Sequence, residues 1–289
     1  MIMDYLFILG ATLLLAVDFA FSKLYQKKSG VGITAGLSFN ALNGLFTAIV
    51  FFALGGFRFT FSSFSMIMAF AMAAFALTYS LIGFRILRSG NMAIYTLFLM
   101  TGGMILPYIY GLIALDEPLR IIRIAGLAVI IAAVAFSNSG TKKPTSLQII
   151  LCVAVFLLNG MVSIISKAHQ VDTIHSPVDT TQFVMLSGIA KFIMSSVALI
   201  FTKLKTNDKL PQPASILPLA LASAVVGGVS YMLQLIGAQN LPATVLYPCV
   251  TGGSIIFSAF AGKIFFKEKI AKAQWISIGL CFAGTCMFL

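Results

Sequence analysis

The chain has 289 residues, of which 60% are hydrophobic and only 9% are charged, and its formal net charge is +11. A soluble domain carries about 25% charged residues, so this composition excludes a water-soluble globular protein and indicates lipid as the main solvent. The basic residues are spread through short gaps and form no cluster, which excludes a nucleic-acid-binding surface.

Ten apolar runs are long enough to cross a membrane as helices, which takes about 20 residues each. The runs lack the alternation of apolar and polar residues that a β-barrel needs, and helices satisfy their backbone groups internally. The sequence therefore predicts an all-α membrane protein, with a retained first span because Asp4 does not suit a signal peptide. In chain order the spans cover residues 3–22, 33–54, 63–84, 92–115, 121–138, 147–166, 180–201, 215–236, 243–265 and 273–289.

The distribution of basic residues predicts the orientation. Fourteen lysines and arginines lie in or beside the gaps after odd-numbered spans, and four lie in those after even-numbered spans. Loops that are rich in lysine and arginine stay in the cytoplasm. We therefore expect the odd gaps to be cytoplasmic and both termini to lie outside, in a protein of the cytoplasmic (plasma) membrane.

An internal repeat divides the chain. The triplet Thr-Gly-Gly occurs at 101–103 and again at 251–253, and "FSK" ending at Lys23 matches "ISK" ending at Lys167. The sequence thus predicts two halves of five spans, residues 1–140 and 146–289. Because five is odd, the second half enters the membrane from the opposite side, and such inverted repeats are typical of secondary transporters with a substrate site near the bilayer midplane.

The two halves also share a motif near their ends. In "ALDEPLRIIRIAGLAVIIAAV" and "FFKEKIAKAQWISIGLCFAGT", Glu117 and Glu268 are each followed by small residues nine and sixteen positions later. In these segments the chain resembles the ten-helix, EamA-like branch of the drug/metabolite transporter superfamily. The resemblance implies two EamA-like halves and metabolite transport, with export in exchange for protons. It also implies cytoplasmic termini, against the charge distribution, and it does not specify a substrate.

The deepest charged residue is Lys191, at the middle of the seventh span. A charge at the bilayer centre costs about 2.5–3.5 kcal/mol on insertion scales, so we expect this helix face, which also carries Ser187, to meet protein or water. The second span presents Asn40 and Asn43 on one stripe, and the repeat sets Asn40 opposite Ser187. Lys191 would bind an anionic group or carry a coupling proton, because burial disfavours the ammonium form. A structural lysine bonded to backbone carbonyls is the alternative.

Asp18, near the end of the first span, is the second candidate for proton coupling. We predict an intramembrane pair with Lys191 that substrate or protons disrupt; an interfacial neighbour of Lys23 is the alternative. Further polar residues within the spans are predicted to contact substrate, although each alone is more typical of packing. These are Tyr79, Tyr95, Thr101, Asn159, Tyr231, Gln234 and Tyr247.

The gap after the sixth span contains His169, Asp172 and His175, a spacing that a metal site could use. A solvated loop is the favoured interpretation. The sequence has none of the motifs of ATPases, metalloproteases or serine hydrolases. We therefore expect no enzymatic activity, no metal and no cofactor.

Together these features predict a secondary transporter that moves a small polar or zwitterionic metabolite by alternating access. Amino acids, organic acids and nucleobase-like compounds fit Lys191 and the asparagines. The protein is expected to act as a monomer whose partners are substrate and membrane lipid. A facilitative uptake carrier is the alternative within the class, and a membrane scaffold or channel is the alternative outside it.

Overall fold

The computed structural model describes residues 2–30, 32–88, 92–137, 145–205, 213–267 and 272–288. Glu268, four of the basic residues counted above and most of the junction between the predicted halves lie outside these ranges. Regular structure within them is helical, which confirms the predicted all-α fold. The helices are α1 (Ile2–Ser29), α2 (Ile33–Leu54), α3 (Ser63–Arg88), α4 (Met92–Ala114), α5 (Ile121–Ser137), α6 (Ser146–Val171), α7 (Thr180–Lys205), α8 (Pro213–Asn240), α9 (Ala243–Phe266) and α10 (Lys272–Cys286).

Eight of the ten helices are long and apolar enough to cross a membrane. The chain is therefore a multi-pass integral membrane protein. In the described part of the chain, α5 has 17 residues and α10 has 15. Both lie where the fifth and tenth spans were predicted, and each adjoins residues outside the described ranges.

The helices extend beyond several predicted ends, because basic residues near a membrane surface can continue a helix. α6 ends at Val171, so Lys167 lies within the helix and is only 3% exposed. Its side chain donates hydrogen bonds to the carbonyl oxygens of Ala238 at 2.6 Å and Leu241 at 2.8 Å. The interpretation of Lys167 as a loop charge was wrong, since two carbonyl oxygens at the end of α8 stabilise its ammonium group inside the protein.

α2 packs along α7, and the two helices run antiparallel. Gly44 lies against Phe192, whereas Gly55, near the end of α2, lies against Thr181 at the start of α7. A Cβ on Gly44 would lie 2.8 Å from the carbonyl oxygen of Gly188, and one on Gly188 would lie 2.9 Å from that of Gly44. The two backbones approach this closely because neither glycine has a side chain.

This reciprocal contact favours a different alignment of the second and seventh spans from the one predicted above. Gly44 faces Gly188, a spacing of 144 residues that also separates Lys23 from Lys167. The same spacing relates two stacked ring pairs, Tyr25 on Phe39 at 4.6 Å and His169 on Phe183 at 3.6 Å. With this spacing the counterpart of Ser187 is Asn43 and not Asn40.

α5 and α10 form a second antiparallel pair, built on the small residues that follow the two glutamates. A Cβ on Gly126 would lie 2.9 Å from the carbonyl oxygen of Gly284. At the other end of the pair, Ser277 donates a hydrogen bond to the carbonyl oxygen of Ala133 at 2.8 Å. Small residues of the motif therefore mediate the contact between α5 and α10.

Glu117 connects α4 to α9. Its carboxylate accepts hydrogen bonds from the backbone N–H groups of Ala243 at 2.6 Å and Thr244 at 2.8 Å. These groups belong to the first turn of α9, where N–H groups have no partner within the helix, and the N-cap residue Pro242 offers no side-chain bond. Glu117 thus caps α9.

The membrane-crossing helices define two faces of the molecule. α1 and α8 run antiparallel, since Asn240 donates a hydrogen bond to Asp4, and Ser230 to the carbonyl oxygen of Ala11. We call the surface at which α1 begins the Asp4 face, and the surface at which α1 ends the Lys23 face. α3, α7 and α9 also begin at the Asp4 face, and α6 and α8 end there.

Candidate substrate cavity

A cavity of about 330 Å³ lies in the middle of the bundle, between α1, α2, α3, α6, α7 and α8. Small-molecule sites usually have about 300–1,000 Å³, so this one suits a small ligand. Its wall combines apolar side chains with polar groups from both predicted halves. The predicted site residues in its lining are Asp18, Asn40, Asn43, Tyr79, Ser187, Lys191 and Tyr231.

A chain of hydrogen bonds connects Lys191 to Asp18. Lys191 Nζ donates to Asn43 Oδ1 at 2.7 Å, and Asn43 Nδ2 donates to Ser223 Oγ at 3.0 Å. Ser223 Oγ in turn donates to a carboxylate oxygen of Asp18. We call these four side chains the polar chain. Lys191 and Asp18, which were predicted to form an intramembrane pair, are therefore connected through two bridging side chains.

The polar chain connects two half-buried ionisable side chains inside the bundle. Asn43 is 7% exposed and Ser223 is fully buried, so each needs hydrogen-bond partners within the protein. Every link joins one donor to one acceptor, with the ammonium group at one end and the carboxylate at the other. Gly227 leaves room for this arrangement, because a Cβ there would lie 2.9 Å from the Asp18 carboxyl group.

Two tyrosines contribute to the wall of the cavity. Tyr231 on α8 shares a hydrogen bond with Ser166 on α6 at 2.9 Å and donates to the sulfur of Met72 on α3 at 3.2 Å. Tyr79 on α3 lines the cavity and packs in a cluster with Val155 and other apolar residues of α3, α4 and α6. The rings provide apolar area with a polar tip, as expected of residues that face a ligand.

Two predicted residues near the Thr-Gly-Gly triplet lie outside the cavity lining. Thr101 Oγ1 donates to the carbonyl oxygen of Leu97 at 2.7 Å, within α4. Asn159 Nδ2 donates to the carbonyl oxygen of Leu99 at 2.7 Å, which joins α6 to α4. The polar groups of both side chains donate to backbone carbonyl oxygens of the protein, which favours a role in packing over contact with substrate.

Three other predicted residues also lie away from the cavity lining. Tyr247 on α9 donates to the carbonyl oxygen of Ser163 at 2.5 Å. Gln234 donates to the hydroxyl of Ser230 at 3.3 Å. Tyr95 packs against α3 at Gly83, where a Cβ would lie 2.7 Å from the tyrosine ring. None of the three is carried into the proposed site.

Sequence reasoning missed several residues of the site, above all Ser223. Ser223 and Gly227 are four residues apart on α8, a helical spacing that places them on one face. This short small-residue stripe was the available signal, but it is also the pattern of ordinary helix packing in lipid. Ser80 is a polar lining residue that was also missed.

Packed side chains separate the cavity from the Asp4 face. Lys167 joins α6 to the end of α8, as described above, and a buried apolar cluster fills the space between α2, α3, α6, α7 and α8. The cluster includes Phe51, Phe183 and Leu235, each no more than 1% exposed. This region is therefore closed to a ligand of the size of the cavity.

The histidines beyond this cluster are held apart. The buried His169 stacks on Phe183, and its Nε2 shares a hydrogen bond with Ser65 at 2.8 Å. His175 and Asp172 form an exposed pair at 2.9 Å, and the hydrogen bond from the His175 ring holds the pKa of Asp172 below its usual value. Among the described residues no group of three His, Cys, Asp or Glu side chains is placed to hold a metal ion.

Comparison with known proteins identifies the relatives of this chain. Residues 146–289 match the model of the EamA-like transporter family. One solved crystal structure superposes with a TM-score of 0.74 at 17% sequence identity, covering 96% of this chain and 94% of that one; at this identity the likeness shows the fold. No protein with a curated description matches.

Proposed function

The chain belongs to the EamA-like transporter family, and on that basis we propose that it is a secondary active transporter for a small polar or zwitterionic metabolite. Amino acids, organic acids and nucleobase-like compounds are the proposed substrates. The protein exports them across the cytoplasmic membrane by alternating access, in exchange for protons. The observation that carries the proposal is the polar chain beside a cavity in the middle of the membrane-crossing helices.

The chemistry of the polar chain supports a substrate with an anionic group. The Lys191 ammonium has three N–H donors, of which one is used by Asn43 at 2.7 Å. The remaining donors are available to a carboxylate in the cavity, and charge-assisted bonds of this kind are stronger than neutral ones. Asp18 lines the same cavity and provides an acceptor for a cationic group, which is why zwitterions fit.

The arrangement of the helices supports alternating access. α2 and α7 occupy corresponding positions in the two halves and run antiparallel, as they would in inverted repeats. The closed Asp4 face favours a carrier over an open channel. The charge distribution predicts that the Lys23 face is cytoplasmic, and we infer that substrate is loaded from that side, as an exporter requires.

Exchange with protons follows from competition within the polar chain. Protonation of Asp18 removes the negative charge of the carboxylate and so weakens it as the acceptor for Ser223, which weakens the hydrogen bond between Asn43 and Lys191. A bound substrate carboxylate satisfies Lys191 instead. Substrate and proton therefore favour different arrangements of the same four side chains, which is what coupled exchange requires.

The proposal is tested by a ligand screen with purified protein. Amino acids, organic acids and nucleobases are added singly, and the unfolding temperature is measured. A ligand at about 100 times its Kd should raise it by roughly 5–10 °C. Lys191→Met should abolish that shift, whereas Lys263→Met, on α9 outside the cavity lining, should retain it. A ligand whose effect is unchanged in Lys191→Met contradicts the site.

Transport itself is measured with the identified ligand in proteoliposomes. A carrier should show saturable counterflow of labelled ligand, driven by unlabelled ligand on the other side. A pH gradient of opposite direction should accelerate net movement if protons are exchanged. Flux that is linear in concentration, without counterflow, would instead favour the channel alternative.

A further inference from the structure

Lysines and aromatic rings come together at the Lys23 face, where α1 and α9 end and α10 begins. The ammonium group of Lys27 lies 4.6 Å from the centre of the Phe266 ring. The ammonium group of Lys263, one helical turn before Phe266 on α9, lies 5.8 Å from the centre of the Trp275 ring. Both cations therefore lie against aromatic rings, which attract them electrostatically. We call Lys27, Lys263, Phe266 and Trp275 the lysine–aromatic patch.

The lysine–aromatic patch is accessible from outside the protein. Lys27 and Lys263 are exposed, and 46% of the Trp275 surface is accessible. Ile264 and Phe265, which follow Lys263 on α9, are also exposed. Exposed apolar residues of a membrane-crossing helix face acyl chains, and tryptophan is enriched where hydrocarbon meets the headgroups. The patch therefore lies at that boundary.

The described carboxylates lie elsewhere in the molecule. Asp18 lines the cavity, and the others are at the Asp4 face, namely Asp4, Asp116, Glu117, Asp172 and Asp179. Glu268 is outside the described ranges and is one carboxylate in a segment with four lysines, at 263, 267, 269 and 272. The patch therefore has an excess of positive charge.

A phospholipid has the chemistry to match both parts of the patch. Each ammonium group has three N–H donors, and charge-assisted hydrogen bonds to phosphate oxygen atoms are strong. The acyl chains match the apolar surface below the cations. Gly279, one helical turn deeper than Trp275 on the same side of α10, is exposed and has no atom within 4 Å of an added Cβ. An acyl chain can therefore lie close to the helix at this point.

From these contacts we propose that the lysine–aromatic patch binds an anionic phospholipid. The phosphate lies between the ammonium groups of Lys27 and Lys263, and one acyl chain passes Trp275 and Gly279. Zwitterionic phospholipids carry their own cation, so the excess positive charge selects lipids with a net negative charge. The four patch residues are not among those that line the substrate cavity, so this site is additional to the proposed transport function.

The test uses the fluorescence of Trp275, which is the single tryptophan of the chain. The full-length protein is reconstituted in phosphatidylcholine bilayers that contain a minor fraction of phospholipid brominated on its acyl chains. The brominated lipid is either phosphatidylglycerol, which is anionic, or phosphatidylcholine. Bromine quenches tryptophan only at short range, so the ratio of the two quenching efficiencies measures the preference of the patch for the anionic lipid.

Brominated phosphatidylglycerol should quench Trp275 more strongly than brominated phosphatidylcholine. Lys27→Gln and Lys263→Gln should each lower the preference by about fivefold, which is the factor that one lysine near an anionic surface contributes. Lys263→Arg keeps the charge and should retain the preference. The matched control is Arg85→Gln, which removes an exposed cation of α3 at the same face and should leave the preference unchanged.

Three results would overturn the inference. The first is equal quenching by the two brominated lipids in the unmodified protein, and the second is the same preference in Lys27→Gln, Lys263→Gln and Arg85→Gln. The third is relief of quenching by glycerol phosphate at the same phosphate concentration, which would assign the patch to soluble phosphate. The assay needs no substrate, so its result is independent of the proposed transport function.

Discussion

An added methyl group at Gly188 should strongly disturb the packing of α2 against α7. A Cβ on Gly188 would lie 2.8 Å from the Ala48 nitrogen and 2.9 Å from the Gly44 oxygen. Ordinary contacts begin at 3.4 Å, and both neighbours are backbone atoms. Gly188→Ala should therefore push α2 and α7 apart by about 0.6 Å and disturb the cavity that Gly188 lines.

The energetic cost combines two opposing effects. Overpacking typically costs about 1–3 kcal/mol, while replacing glycine by alanine within a helix gains up to about 1 kcal/mol. We expect Gly188→Ala to lower the free energy of unfolding by about 1–2 kcal/mol. The matched control is Gly279→Ala on α10, where nothing lies within 4 Å of an added Cβ, so that it should be neutral or stabilising.

The measurement is thermal unfolding in detergent, followed with a dye that reacts with thiols as they become exposed. Cys152, Cys249 and Cys281 are buried and serve as reporters. A difference of about 1–3 kcal/mol between the two variants corresponds to roughly 2–12 °C in Tm. Equal Tm values for Gly188→Ala and Gly279→Ala would refute the assigned contact between the halves.

Two further substitutions test other parts of the structure. Ser223→Ala removes the link between Asn43 and Asp18, so we expect the pH dependence of transport to change while the protein yield stays the same. Ser80→Ala, in the same cavity, is the control and should leave the pH profile unaltered. Identical pH profiles for the two variants would contradict the polar chain. Glu117→Gln weakens the cap of α9 and should lower the free energy of unfolding by about 1–2 kcal/mol, measured with the same dye; an unchanged Tm would argue against the capping role.

The helices and the deep charged residues could be predicted from the sequence, because lipid leaves little freedom. A polar group such as Lys191 in an apolar helix must face protein or water. The structure places Lys191 in the lining of the cavity. Asn159 and Tyr247 also face protein, but their polar groups are satisfied by backbone carbonyl oxygens of adjacent helices, outside the cavity lining. Sequence alone does not reveal which carbonyl oxygens a neighbouring helix leaves available.

Two other misinterpretations have a geometric cause. Lys167 was assigned to a loop because it lies at the end of an apolar run, although the helix continues and α8 supplies acceptors for its ammonium group. Ser223 was overlooked because a serine on a small-residue stripe resembles packing, and its role depends on Asp18, which is 205 residues away in the chain. Contacts of that separation are set by the arrangement of the helices.

The polar chain also constrains how the protein can be synthesised. Asp18 enters the membrane with the first helix, whereas Lys191 and Ser223 belong to helices made much later. At about 5–20 residues per second, the ribosome needs roughly 10–35 s to advance from the aspartate codon to the lysine codon. During this interval the nascent first half holds an acidic side chain in lipid without its eventual counter-charge. We therefore expect the translocon or an insertase to keep the Asp18 side chain away from lipid in early insertion intermediates. The first half expressed alone should be degraded unless the second half is supplied in trans.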